Sequence, residues 1–137
     1  MSKLQTILVV DDDAFIRKPL EYILEQEGFE ARIACDGDEC LEQVKKHRPD
    51  LIILDVMMPK RDGFEVCEVL KSDAELRDIP VILLSARGRE NDQRRGIELG
   101  AADFMTKPYS PSELIGRVRE LLDEAALAEQ GKQGRTV

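Results

Sequence analysis

Five short apolar runs alternate with five longer amphipathic stretches, and this alternation narrows the possible folds more than any other property of the chain. The apolar runs fall at residues 5 to 10, 29 to 34, 51 to 54, 80 to 84 and 103 to 105. Helical periodicity occupies 14 to 27, 37 to 47, 63 to 71, 89 to 99 and 111 to 128. Strict strand–helix alternation is the mark of repeated βα units, whose crossover helices make neighbouring strands run parallel. Two runs, Leu51-Ile52-Ile53-Leu54 and Val81-Ile82-Leu83-Leu84, are apolar at every position. A strand with one wet face alternates polar and apolar residues, so these two need a helical layer on each side. The pattern predicts an α/β fold: a three-layer sandwich around a five-stranded parallel sheet.

Turn chemistry agrees with those boundaries. Gly28 follows the first helical stretch, Asp36-Gly37 precedes the second, Asp62-Gly63 opens the third and Gly100 closes the fourth. Ser110-Pro111 reads as the cap and first residue of the last helix, with Glu113 placed to complete a capping box. Pro19 breaks the local rule, because a proline inside a helix removes one backbone hydrogen bond at a cost of about 3 kcal/mol. A kink or a displaced helix start is expected there. Residues 1 to 128 form one domain on this reading, and 129 to 137 a frayed tail.

With 137 residues, the chain holds one ordinary domain that buries roughly two-thirds of its unfolded surface. The net charge of −8 opposes direct binding to nucleic acid, whose affinity comes largely from Lys and Arg on phosphates. No apolar stretch approaches the roughly 18 residues that span a bilayer, and the N-terminal residues do not read as a signal peptide; a cytoplasmic protein with no membrane partner is expected. Cys35, Cys40 and Cys67 are odd in number and lack CxxC spacing, so they read as reduced, mostly packed thiols rather than a disulfide framework or zinc site.

The chemistry lies where the strands run out. Ile7-Leu8-Val9-Val10 ends in Asp11, Asp12 and Asp13; Leu51-Ile52-Ile53-Leu54 ends in Asp55; the last short strand leads to Lys107. Ligands bind in the crevice beyond the carboxyl ends of an open parallel sheet, so these carboxylates and the lysine belong in one place. Each has a plainer reading alone. An aspartate after a strand is a favoured helix cap or turn former, a strand-end lysine is usually solvated, and Phe104 is ordinary core. His47 suits a helix terminus or solvent. Lys60-Arg61-Asp62-Gly63 is a turn. Arg87, Arg89, Arg94 and Arg95 form a solvated face or a partner-docking patch.

Four segments taken together, Val9-Val10-Asp11-Asp12-Asp13, residues 54 to 63 (LDVMMPKRDG), 81 to 86 (VILLSA) and 100 to 108 (GAADFMTKP), make residues 5 to about 122 resemble the receiver domain of two-component response regulators. The resemblance implies a flavodoxin-like sheet of strand order 2-1-3-4-5. It implies Asp55 as phospho-acceptor, and Asp11 and Asp12 with Asp55 and the Met57 carbonyl as the site of Mg²⁺ or Mn²⁺. Ser85 would be the switch hydroxyl, Phe104 the switch aromatic and Lys107 the basic residue, with Lys107-Pro108 in the cis form. The phosphoryl group would come from a sensor histidine kinase or histidine phosphotransfer protein. The output would be an altered face of the fourth helix, fifth strand and fifth helix, offered to a downstream protein. On this reading Phe104 rotates from exposed to buried.

The chain is then a phospho-acceptor switch rather than an enzyme. An aspartate-nucleophile, Mg²⁺-dependent phosphatase needs a second acid two residues on, where this chain has Met57, which cannot move a proton. A flavodoxin-like cofactor binder would want a Gly- and Ser/Thr-rich first loop in place of three aspartates. A pseudo-receiver acting through contacts alone is the remaining alternative. Family dimers use charge pairs on the last helices; Asp103, Arg117 and Glu113 are kept, but Ala102 and Gln93 replace an expected acid and arginine, which favours a monomer or weak dimer. Met57 and Arg87 stand where the family tunes phosphoryl lifetime, and Met57 predicts slow self-dephosphorylation. A stand-alone regulator and a receiver from a longer regulator both stay open.

Overall fold

Each apolar run becomes a strand and each amphipathic stretch a helix in the computed structural model, which describes residues 4 to 86 and 90 to 134. In chain order these are β1 (Thr6–Val10), α1 (Ala14–Gln26), β2 (Glu30–Ala34), α2 (Gly37–Lys46), β3 (Leu51–Asp55), α3 (Gly63–Ser72), β4 (Val81–Ser85), α4 (Glu90–Glu98), β5 (Asp103–Thr106) and α5 (Pro111–Gly134). The five strands form one sheet in the order β2-β1-β3-β4-β5, every neighbouring pair parallel. This is the expected architecture, with boundaries shifted by a residue at most except at the end of α5.

Side chains alternate across a strand, and the central strands use both faces. Leu8, Val10, Ile52, Leu54, Val81 and Leu83 face one core, closed by Cys40 and Val44 of α2 and Val66, Cys67 and Leu70 of α3. Ile7, Val9, Leu51, Ile53, Ile82 and Leu84 face the other, closed by Leu20 and Leu24 of α1 and Leu114, Val118 and Leu121 of α5. Burying a Leu or Ile side chain fully contributes roughly 1.5–3 kcal/mol. The two cores clamp the sheet from both sides, which holds its strand ends at a constant height.

Aspartates start three of the helices. Asp13 Oδ1 accepts from the Phe15 N–H at 2.9 Å, Asp36 Oδ1 from the Glu39 N–H at 2.8 Å, and Asp62 Oδ1 from the Glu65 N–H at 2.9 Å, each satisfying a donor the helix leaves open. Ser110 Oγ accepts a longer bond of 3.4 Å from the Glu113 N–H; the reciprocal bond from the Ser110 N–H to the Glu113 carboxylate is not made among the described residues, so the capping box is half formed. Of the cysteines, Cys35 is exposed while Cys40 and Cys67 are buried, all as free thiols.

Two helices bear on the expectations at Pro19 and at the chain's end. Pro19 does not displace the start of α1, which begins at Ala14 as the pattern predicts and runs through the proline. Pro19 lies on the exposed side of the helix, where water can satisfy the carbonyl it frees. At the other end, α5 continues past residue 128 to Gly134 where a frayed tail is expected. Glu129 and Gln130 are good helix formers, and extending a nucleated helix costs far less than starting one. No helix among the described residues is long and apolar enough to cross a membrane.

Candidate functional site

Strand register assembles the site. Val10 pairs with Leu54, which sets Asp11 beside Asp55; Asp55 pairs with Leu84, so Ser85 lies one residue beyond it; and Ser85 pairs with Thr106, which brings Lys107 to the same edge. Among the described residues the buried polar or charged ones are Asp11, Asp55 and Ser85, at 2%, 4% and 1% exposure. Polar groups are expensive to bury unless something compensates them. Their convergence at one sheet edge, within an otherwise apolar interior, marks a site.

Lys107 supplies part of the compensation. Its Nζ donates to Asp11 Oδ2 at 2.9 Å and to Asp55 Oδ1 at 3.1 Å. Asp11 Oδ1 accepts from the Asp13 N–H at 2.9 Å. Asp11, Asp12 and Asp55 each present a carboxylate oxygen, all within 4.8 Å of one another, and one lysine does not balance three carboxylates. Burial, followed by the negative charge of Asp11, pushes the Asp55 carboxyl up to about 6, against the opposing pull of Lys107. Burial lowers the Lys107 ammonium, but its bonds to Asp11 and Asp55 outweigh that and leave it raised.

The donor set suits a hard divalent cation. Mg²⁺ takes oxygen ligands in octahedral geometry and keeps several waters, and Asp12 is exposed while its partners are buried, so the cluster opens to solvent on one side. A cation there would also relieve the repulsion that holds the Asp55 proton. The acidic cluster is thus compatible with Mg²⁺.

The chain just after Asp55 approaches very closely. A Cβ on Gly63 would lie 2.5 Å from the Asp55 carbonyl oxygen and 2.9 Å from Val56 Cα, so only glycine lets α3 start this near the end of β3. Lys60 adopts a positive φ of 69°, and its Nζ lies 3.4 Å from Asp36. Arg61 pairs with Asp38 at 2.9 Å. The expected turn is therefore tied to the first residues of α2. Met57 stands half out in solvent at 51% exposure.

The other anticipated residues are placed as follows. Phe104 is half-buried against the α3-side core, facing Gly96 of α4, where an added Cβ would come 3.2 Å from its ring. It is neither of the two extremes expected of a switch. The Lys107–Pro108 bond is cis. His47 ends α2, exposed, its N–H on the Gln43 carbonyl. Asp103 and Arg117 pair with each other at 2.8 Å. Arg94 pairs with Glu90, Arg95 covers the Phe64 ring at 4.4 Å, and Arg87 and Arg89 lie outside the described residues. Sequence reasoning missed Gly63 as a packing requirement, although its place after a strand-end turn was a usable signal. It also missed Tyr109, half-buried near Lys107 and Asp11, whose hydroxyl is raised by burial.

Residues 7–119 match the family model of the response regulator receiver domain. The chain belongs to the response regulator receiver family. This receiver is 47% identical over 116 residues to the phosphate regulon transcriptional regulatory protein PhoB of Klebsiella pneumoniae, covering 85% of the chain and 51% of that protein. It is 45% identical over 122 residues to the alkaline phosphatase synthesis transcriptional regulatory protein PhoP of Bacillus subtilis (strain 168), covering 89% of the chain and 50% of that protein. The chain thus spans about half the length of the curated relatives it matches. Among solved structures it is similar to the receiver domain of a signal transduction histidine kinase from Syntrophus aciditrophicus, with TM-score 0.82 and 40% identity, covering 88% of this chain and 91% of that one. Receivers of this family act as phospho-acceptor switches, and phosphorylation by a kinase is their general function.

Proposed function

We propose that Asp55 is the residue that accepts the phosphoryl group, from a phosphohistidine on a sensor histidine kinase or histidine phosphotransfer protein. The observation that carries this reading is the convergence of the buried Asp11, Asp55 and Ser85 with Lys107 at one sheet edge. Asp55 attacks phosphorus through a carboxylate oxygen, the bond from phosphorus to the donor imidazole nitrogen breaks, and the imidazole leaves with the electron pair. With its carboxyl at about 6, Asp55 is mostly ionised at neutral pH and ready as a nucleophile. Asp11, Asp12, Asp55 and the Met57 carbonyl would hold Mg²⁺ or Mn²⁺. When bound, that cation supplies charge neutralisation at the transferring phosphoryl oxygens.

Lys107, already bridging Asp11 and Asp55, neutralises the new dianion from the other side. Ser85 ends β4 on the same edge and donates its hydroxyl to a phosphoryl oxygen; Phe104, half-buried against Gly96 of α4, repacks in response. The α4-β5-α5 face then carries the signal to a downstream protein, a bistable element biased by one modification. The Asp103–Arg117 bond within the chain occupies a pair that would otherwise reach across a dimer, which favours a monomer or weak dimer. The net charge of −8 disfavours direct contact of this domain with nucleic acid, and we place its action in the cytoplasm.

The deciding experiment is intact-protein mass after incubation with Mg²⁺ and a small-molecule phosphodonor. One added phosphoryl group on wild type and none on Asp55→Asn supports the reading. Wild type that binds the cation and gains no phosphoryl group would make the chain a pseudo-receiver.

A further inference from the structure

Arg17 has no role in the chemistry above, yet it is held close to it. From the fourth residue of α1, its Nη1 donates to the backbone carbonyl of Asp11 at 2.8 Å, while its Nε is buried with no hydrogen-bond partner. An unpaired buried donor is destabilising, a cost that a leucine or methionine filling the same space would avoid. Arg17 makes no ion pair with a described carboxylate, so direct pairing with the acidic cluster does not account for its place. Nor does α1 depend on it for a cap, since Asp13 already supplies one.

What the guanidinium holds is half of the peptide unit joining Asp11 to Asp12. That unit is planar, so anchoring its oxygen sets ψ of Asp11 and φ of Asp12 together. Asp11 is gripped on its other sides: its N–H donates to the Ala34 carbonyl at 3.2 Å, Oδ1 accepts from Asp13 and Oδ2 from Lys107. Asp12 is exposed and has no hydrogen bond to a described residue. Its carboxylate is aimed by the backbone that carries it.

We propose that Arg17 is a positioning residue for the divalent-cation site, fixing the Asp11–Asp12 peptide so that the Asp12 carboxylate meets those of Asp11 and Asp55. This rests on the metal reading of that cluster. Groups that orient metal ligands typically change metal affinity 10–100-fold when removed. A purely structural role for Arg17 would lower stability and leave the affinity of the folded protein unchanged.

The test is Mn²⁺ binding to unphosphorylated protein, followed by electron paramagnetic resonance, for wild type, Arg17→Met and Arg17→Lys, with circular dichroism to establish folding. Folded Arg17→Met should bind Mn²⁺ about tenfold or more weakly, and Arg17→Lys, which keeps a donor for the carbonyl, should recover most of the loss. Arg17→Met binding as tightly as wild type overturns the inference, and so does Arg17→Lys binding no better than Arg17→Met. Should Arg17→Met not fold, Arg17→Gln, too short to reach the carbonyl, is read in the same way. Wild type that binds no Mn²⁺ overturns the metal site itself and the inference with it.

Discussion

Replacing Asp55 with asparagine should make the metal-free protein more stable, by an amount that depends on pH. The Asp55 carboxyl lies at about 6 in the folded chain against an ordinary 3.8, with burial the largest cause and the charge of Asp11 next. A carboxyl raised on folding is a liability that is absent below about 3.8 and fully present above about 6. Between those values the folded state holds a proton the unfolded state has released, so stability falls as pH rises. A difference of about 2.2 pH units at 1.36 kcal/mol each sets a ceiling of about 3 kcal/mol above pH 7 and about 1.5 kcal/mol at pH 5. Asparagine keeps the shape and removes the charge. Urea unfolding of both proteins in EDTA at pH 5.0 and 7.5 should therefore show the variant more stable at both, with a gap roughly twice as wide at the higher pH. For a chain of this length the larger gap corresponds to a Tm difference on the order of 10 °C. Saturating Mg²⁺ should narrow it, since the cation stabilises the wild-type carboxylate. A gap of the same size at both pH values, or a variant less stable than wild type at pH 7.5, would refute the account of Asp55 as a buried, repelled charge.

Lys107→Met removes the cation that opposes the rise at Asp55, so the Asp55 carboxyl should titrate higher in a ¹³C-NMR titration and phosphorylation by a small-molecule donor should slow. Gly63→Ala forces a Cβ to within 2.5 Å of the Asp55 carbonyl oxygen; overpacking of this kind costs roughly 1–3 kcal/mol, read as a lowered urea midpoint, and the displaced β3 end should slow phosphorylation as well. Met57→Asn places a group able to orient water at the exposed mouth of the site, and the phosphoryl half-life followed by mass should shorten; an unchanged half-life would remove Met57 as the cause of slow self-dephosphorylation.

Much of the architecture is legible because it is local. The doubly apolar runs at 51 to 54 and 81 to 84 predict central strands, and β3 and β4 are buried at every position. The aspartate–glycine steps at 36–37 and 62–63 predict helix starts, and both aspartates cap. These features depend on side-chain alternation and on donors left open in a first turn, which neighbouring residues settle between themselves. Of the two outcomes expected at Pro19, a displaced helix start is not seen, since α1 begins at Ala14 and runs through the proline: helix propensity says where a helix is costly, and context decides whether that cost matters.

The three consecutive aspartates separate what each level decides. Sequence alone determined that carboxylates end two strands, that a lysine ends a third, and that their surplus exceeds what capping requires. Composition and spacing could not sort Asp11, Asp12 and Asp13, which are chemically identical; only the family resemblance singled out Asp11 and Asp12. The fold assigned Asp13 to cap α1, buried Asp11 against Lys107 and left Asp12 exposed at the opening. It also drew Arg17 back to the Asp11 carbonyl and set Phe104 half-buried beside α4. Partners 96 residues apart, as Lys107 and Asp11 are, meet only because parallel register aligns the strand ends. That register is set by two cores packed on opposite faces of the sheet, a property of the assembled layers that no single segment contains.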